Sequence, residues 1–342
     1  MAANGVNGHK ISRPLKPGIY APIPTFFKPD SEDLDLPTTS AHIARCAKCG
    51  IAPLVGGSMG EAHHMSHAER IEVIKAARKA LDDIGLHTMP VIAGTGAGST
   101  RETIQVTQEA AEAGADYAIV ITSGYFAGAL ANNRPALKAF FKDVSESSPI
   151  PVMIYNFPAA AGGIDLDSDI ITEMGLECPN ICGVKLTCGN VGKYTRIADA
   201  VVQPNFTPRK NPDAPFLVLG GFVDFLVPTT FANGHGTITG LANLAPNTIA
   251  KLWELSCAAL KDISLLQEAL RVQGIAARAD FTIAKTAIPG MKFLIEKEYG
   301  YGGLARKPLA SLTDAEKKAI WEHPHTQDLL RLEHELSGKS KA

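Results

Sequence analysis

Two stretches of this sequence end in a side chain that could do chemistry. Ile150 to Pro158 is an apolar run closed by Tyr155, and Gly183 to Thr187 is a second one closed by Lys185. Short apolar runs bounded by Pro or Gly have the pattern of fully buried strands. A lysine at the end of such a strand is costly unless it has work to do. A lysine and a nearby tyrosine suit imine chemistry. The amine must be neutral to attack a carbonyl, and apolar surroundings disfavour the ammonium form. A phenol can then carry protons to and from the carbinolamine and a substrate hydroxyl. The residues also allow a plainer role, with Lys185 capping a strand against an acid and Tyr155 packed in the core.

Other polar residues fall where apolar runs end: Thr25, Ser58, Glu61, Thr122, Tyr125 and Asp224. The loop from Gly56 to Glu61 carries three glycines and Ser58. Glycine lets backbone N–H groups approach an anion such as a carboxylate, although an ordinary turn reads the same way. The glycines of 94–98 lack the dinucleotide spacing G-x-G-x-x-G, so no nucleotide cofactor is expected. His63 and His67 stand at i,i+4 without the H-E-x-x-H pattern or a third ligand, so no metal is expected. Cys46 and Cys49 have no second C-x-x-C at zinc spacing and read as buried or half-buried thiols.

The elements that must position these residues alternate. Strands are expected at 18–27, 52–55, 89–93, 117–121, 150–158, 183–187, 216–219 and 236–239. Helices are expected at 37–48, 68–82, 100–113, 134–147, 168–174, 191–202, 224–232 and 247–260. Ser66 and Glu69 form a capping box before the second helix. Eight strand-then-helix units argue for an α/β fold with a closed (β/α)8 TIM barrel. Three further helical stretches, 264–280, 284–299 and 313–335, read as a C-terminal helical appendage. The expected organisation is a flexible tail at 1–14, the barrel at 15–246, a helical region at 247–336 that completes and packs on the barrel, and a frayed end at 337–342.

A length of 342 residues suits a barrel plus an appendage. A formal charge of −2 at pH 7 gives no reason to expect nucleic acid or a membrane surface as partner. Six cysteines in a chain of this size suggest free thiols in a reducing compartment. The first thirteen residues lack an apolar core, and Lys10 and Arg13 are weak support for a presequence. The cytosol is therefore expected, with the mitochondrion as the alternative.

In combination these residues resemble the dihydrodipicolinate synthase / N-acetylneuraminate lyase family of class I aldolases. The resemblance spans roughly residues 15–300. It is carried by Gly57 to Glu61, Pro90 to Gly96, Tyr155 to Pro158, Gly183 to Lys185, Gly234 to Ile238, and Ala242-Asn243. It implies that Lys185 forms a Schiff base with a 2-oxo acid and that Tyr155 is the proton donor and acceptor, with no cofactor. It implies that the 57–61 loop, with Ser58 and Met59, holds the 2-oxo carboxylate. Thr187, Gly221 and the main chain at Ile238 line the same pocket. Tyr125 resembles the relay tyrosine that the family inserts from a neighbouring subunit, and a homotetramer built as a dimer of dimers follows.

The departures bear on the substrate. The synthase branch carries an Arg two residues after the proline of its Tyr-Asn-x-Pro motif, which grips the second substrate's carboxylate. Here that position is Ala160, and a methyl group cannot replace a bidentate guanidinium. The loop position usually held by a second Thr is Met59, which leaves Ser58 as the hydroxyl. Asp224 stands where the sugar-acid lyases place an acid that binds substrate hydroxyls. The expected reaction is cleavage of a 2-keto-3-deoxy sugar acid, such as 2-keto-3-deoxy-L-galactonate, to pyruvate and an aldehyde. The alternative is 4-hydroxy-2-oxoglutarate cleavage to pyruvate and glyoxylate. Less favoured are dihydrodipicolinate synthesis, a metal-dependent aldolase using His63 and His67, and a non-catalytic 2-oxo acid binding protein.

Overall fold

The computed structural model describes residues 11–338. Eight parallel strands close into a barrel in sequence order, with the first paired to the last. They are β1 (Gly18–Pro22), β2 (Ala52–Val55), β3 (Ile92–Gly94), β4 (Tyr117–Ile121), β5 (Val152–Asn156), β6 (Ile181–Leu186), β7 (Leu217–Gly220) and β8 (Gly236–Ile238). The helices in chain order are α1 (Leu36–Ala47), α2 (His67–Asp83), α3 (Thr100–Ala113), α4 (Ala127–Leu130), α5 (Arg134–Ser147), α6 (Ser168–Glu177) and α7 (Val191–Val201). They continue with α8 (Leu226–Thr230), α9 (Pro246–Ala259), α10 (Leu266–Ala284), α11 (Ala287–Tyr299), α12 (Asp314–Trp321) and α13 (Pro324–Ser337). No helix of the described residues is long and apolar enough to cross a membrane.

Local chemistry sets most boundaries. Ser66 and Glu69 make the reciprocal capping box that starts α2. Gly114, at φ 105°, ends α3 in the left-handed conformation. β1 stops at Pro22 rather than running to Phe27, because Pro22 and Pro24 bring no N–H to a ladder. The last helical stretch is two helices, since Pro324 starts α13 at a position where a missing N–H costs nothing. Residues 1–10 of the expected N-terminal tail and 339–342 of the expected frayed end lie outside the described residues. Next to the former, the Arg13 Nε donates to the His87 carbonyl at 2.8 Å and its Nη1 to Asp116 at 3.2 Å.

The strands divide the core in two. Outward side chains such as Val152, Ile154, Val184 and Leu186 pack against the helices. Inward ones such as Tyr20, Met153, Cys182 and Leu219 fill the barrel. This division exposes an irregularity in β6. Ile181 pairs with Val152, yet Gly183 pairs with Met153, so Cys182 is an extra residue facing a continuous β5. Ile181 points out and Cys182 points in, but so do Val184 out and Lys185 in. Strict alternation from Ile181 would have turned Lys185 outward. The bulge reverses the parity and brings Lys185 level with Tyr155 in the β5–β6 register. Gly183 makes this possible. Its φ is +149°, and a Cβ there would lie 2.3 Å from the Leu217 carbonyl of β7.

The remaining helices cover one side of the barrel. α10 packs against α8, α9 and α13, and its C-terminal end reaches the mouth where the strands end.

Candidate active site

Lys185 and Tyr155 point into the barrel mouth from adjacent strands. Their exposures are 5% and 6%. The Lys185 Nζ lies 4.3 Å from the centre of the Tyr155 ring, whose other neighbour is Phe157, stacked at 5.7 Å. No carboxylate among the described residues bridges to Lys185, and no hydrogen-bond partner holds its Nζ. The plainer role of a strand-end lysine paired with an acid is therefore not what the fold builds. Two other buried lysines do have such partners, Lys193 with Asp165 and Lys292 with Glu61.

Asn156 joins the ends of the two strands. Its carbonyl accepts the Thr187 N–H at 2.9 Å. Its side chain donates to Asp165 at 2.7 Å and accepts from the Leu166 N–H at 3.0 Å. The residue after Tyr155 thus fixes the loop after β5 and the position of Thr187 together.

Two connected spaces meet at this pair. The inner one, about 30 Å³, is bounded by Gly56, Gly57, Ser58, His63, Tyr155 and Lys185. Such a space admits roughly two water-sized groups. The outer one, about 300 Å³, is bounded by Ser58, Tyr155, Lys185, Thr187 and Gly221, with a wall from α10 and α11. Ser58 borders both, and also a side pocket that it shares with His63 and Ala160. The Thr187 Oγ1 is buried without a partner among the described residues. Gly221 faces it, and a Cβ at Gly221 would come within 2.0 Å of that oxygen. A larger space of about 850 Å³ lies at the opposite end, before β4 and β5, and is bounded by Arg13, Asp116, Tyr117 and Asp213. Catalytic groups in such barrels come from the C-terminal ends of the strands, which favours the first location.

The loop that carries Ser58 is held from behind. Thr25 donates to the Gly60 carbonyl at 2.7 Å. Glu61, at φ 55°, turns its carboxylate away from the mouth into a fully buried pair with Lys292 of α11. The same carboxylate accepts the Arg306 N–H at 2.8 Å, and His64 lies 3.0 Å from it. Burial pushes the Lys292 ammonium down from its ordinary value, and the Glu61 charge opposes that shift. Replacing Lys292 with methionine leaves Glu61 buried without its cation. It should cost about 3 kcal/mol of stability, read by urea unfolding, while leaving Lys185 in place.

The expected site residues divide. Lys185, Tyr155, Ser58, Met59, Thr187 and Gly221 meet at one cavity. Asp224 does not. It is exposed on the turn before α8, because Gly221 and Phe222 take the cavity side of that loop. Ile238 is fully buried in the barrel interior with Tyr20 and Leu219, and Gly240, two residues past β8, borders the cavity. Tyr125 is 90% exposed, packed edge-on against Phe126, and lines neither of the two spaces around Lys185. His63 borders the inner space, whereas His67 pairs with Glu109 at 2.8 Å. Burial, with the nearby Arg70 charge, holds His63 below its ordinary value and so in the neutral form near pH 7. Among the described residues no three His, Cys, Asp or Glu side chains cluster as metal ligands would. Cys46 is buried and Cys49 half-buried, both free.

One cavity residue carried no signal in the sequence. Asp280, on α10, lines the outer space about a hundred positions after Lys185. Its Oδ2 accepts the Val223 N–H at 2.8 Å. Burial pushes this carboxyl up to about 7, and the Asp224 charge adds to the shift. An aspartate in an amphipathic helix reads as a solvated face, and only the packing of α10 over the mouth gives it a cavity.

Comparison with known proteins agrees with this fold. Residues 19–323 match the model of the dihydrodipicolinate synthetase family. The chain is 40% identical over 336 residues to L-threo-3-deoxy-hexylosonate aldolase of Aspergillus niger, covering 94% of this chain and 98% of that one. It is 40% identical over 329 residues to a protein of Emericella nidulans named "Probable 4-hydroxy-2-oxoglutarate aldolase, mitochondrial", covering 96% and 99%. The crystal structure of YagE from Escherichia coli, in complex with pyruvate, superposes with a TM-score of 0.77 at 27% identity, covering 93% of this chain and 98% of that one. With the matched region spanning the whole barrel and both strands that carry Lys185 and Tyr155, the chain belongs to the dihydrodipicolinate synthetase family.

Proposed function

We propose that this protein is a cofactor-free Schiff-base aldolase that cleaves a 2-keto-3-deoxy sugar acid to pyruvate and an aldehyde. The observation that carries the reading is a buried lysine without an ion partner among the described residues, facing a cavity beside a tyrosine. A lysine with no carboxylate partner among the described residues, kept at a cost in the core, is the expected form of an amine nucleophile.

In this reading the substrate's carboxylate enters the inner space beside the Gly56–Gly57 backbone and Ser58. The Lys185 amine adds to the C2 ketone, and the carbinolamine loses water to give a protonated imine. Tyr155, relayed by Ser58, removes the proton of the C4 hydroxyl. The C3–C4 bond breaks, its electron pair moves into the iminium to form an enamine, and the C4 fragment leaves as an aldehyde. A proton returns to C3, and water hydrolyses the imine to release pyruvate and the free amine. Replacing Tyr155 with phenylalanine keeps the ring over Lys185 and removes the hydroxyl. kcat should fall by about 10²- to 10³-fold with little change in KM, as measured by coupled pyruvate release.

The choice of substrate class rests on Ala160. It borders the side pocket with Ser58 and His63, where the synthase branch has an arginine, and it supplies no group for a second carboxylate. The Aspergillus niger relative's name, a 3-deoxy six-carbon keto acid aldolase, supports the same class. Pyruvate release from a panel of 2-keto-3-deoxy acids and 4-hydroxy-2-oxoglutarate tests it. The six-carbon acids should give the higher kcat/KM. Efficient condensation of pyruvate with aspartate semialdehyde, or turnover of 4-hydroxy-2-oxoglutarate alone, would overturn it.

We also propose a homotetramer, in which Tyr125 serves a neighbouring subunit's site. The support is the exposure of two adjacent aromatics, Tyr125 at 90% and Phe126 at 64%, on the loop after β4. Sedimentation equilibrium of the full chain tests the assembly.

A further inference from the structure

The outer cavity sorts its groups by position. Toward Lys185 stand the hydroxyls of Ser58, Tyr155 and Thr187. The opposite wall is Ile283, Ala284, Ala287, Ile288 and Met291. Within that apolar wall one side chain is ionisable, Asp280, and it is the only carboxyl among the described residues that line the cavity. The substrate's first three carbons are taken up by the inner space and the imine. The aldehyde half must therefore extend outward, past Thr187, toward α10.

A carboxyl at this place is hard to explain by structure alone. It is 6% exposed, and its partners are backbone N–H groups of Val223 and Asp224 rather than a cation. An asparagine would accept the same N–H bonds without the cost of burying an ionisable group. A costly group retained on the wall of a reaction cavity points to a ligand.

We propose that Asp280 is a specificity-determining residue that receives the hydroxyl groups on the aldehyde half of the substrate and disfavours an aldehyde half that carries its own negative charge. The inference rests on the aldolase reading of Lys185 and refines it. A neutral polyhydroxy tail offers donors and acceptors to a carboxyl and meets no like charge. A glyoxylate tail brings a second carboxylate against Asp280, in a wall that supplies no cation to balance it. The carboxyl, raised to about 7 by burial, is present near neutrality as both acid and carboxylate. It can therefore donate to one hydroxyl or accept from another.

The test is Asp280→Asn in the full chain, with Asp280→Ser as a second neutral variant should the first fail to fold. kcat/KM is measured for 2-keto-3-deoxy-L-galactonate and for 4-hydroxy-2-oxoglutarate, and each protein is treated with pyruvate and borohydride. The ratio of the two kcat/KM values should fall by about 30-fold or more, chiefly through a higher KM for the sugar acid. The reduced pyruvate adduct on Lys185 should be unchanged. A ratio within about threefold of wild type, with normal trapping, overturns the role of Asp280 and leaves the aldolase reading standing. Absence of the adduct in the wild type overturns the aldolase reading itself, and the inference falls with it.

Discussion

Replacing Lys185 with methionine should lower kcat by at least about 10⁴-fold and at the same time raise the melting temperature. The two effects have one cause. At 5% exposure, with no carboxylate bridging to it among the described residues, the amine contributes a burial cost and no ion pair. Methionine fills nearly the same volume between Tyr155 and the neighbouring strands and carries no charge. The loss of rate follows from the proposed mechanism, in which the reaction passes through a covalent bond to that nitrogen, and no other lysine among the described residues lines either space. Lys292 cannot substitute, since its Nζ is bound to Glu61 and to the Leu304 carbonyl and borders neither cavity. Pyruvate release and differential scanning calorimetry on the same preparation check both halves. A variant that loses activity and also stability would mean that Lys185 is a structural residue.

Gly183→Ala should lower kcat/KM by at least about 10³-fold although the residue touches no substrate, with a stability loss of about 3 kcal/mol. The new Cβ would stand 2.3 Å from the Leu217 carbonyl and 2.9 Å from its nitrogen, both in the backbone of β7 and unable to swing aside. The backbone at +149° is also strained for any side chain. Relief requires β6 to give up the bulge at Cys182 or to move off β7. Losing the bulge returns the strand to plain alternation, and Lys185 then faces the helices instead of the cavity. The control is Gly274→Ala in α10. There the nearest atom to the new Cβ is the mobile end of Arg278 at 3.4 Å, so the substitution should be neutral or slightly stabilising. A crystal structure or the yield of borohydride trapping would show whether Lys185 has turned.

These two residues also mark what a single sequence makes legible. The alternation of apolar runs and helical patterns gives the eight units, and the Ser66–Glu69 box and Gly114 give boundaries, because those signals are local. The pair Lys185 and Tyr155 is legible for the same reason, since a polar residue closing an apolar run stands out. The bulge is not. Its signal is one residue of excess against a partner strand, which exists only after pairing. Asp280 and Lys292 are invisible in a second way. Each sits in a helix whose pattern allows a surface position, and tertiary packing makes one a cavity wall and the other the buried partner of Glu61. Asp224 shows the opposite failure. A position matched by resemblance two residues before a short helix is displaced when Gly221 and Phe222 take the inner side of the turn, and the carboxyl at the cavity comes from α10 instead.

The most direct measurement is treatment of the full chain with pyruvate and sodium borohydride, followed by peptide mass mapping. A reduced pyruvate adduct on Lys185, absent without pyruvate and absent in Lys185→Met, is the expected result. No adduct under conditions where the enzyme turns over, or an adduct on a lysine other than Lys185, would contradict imine chemistry at this site.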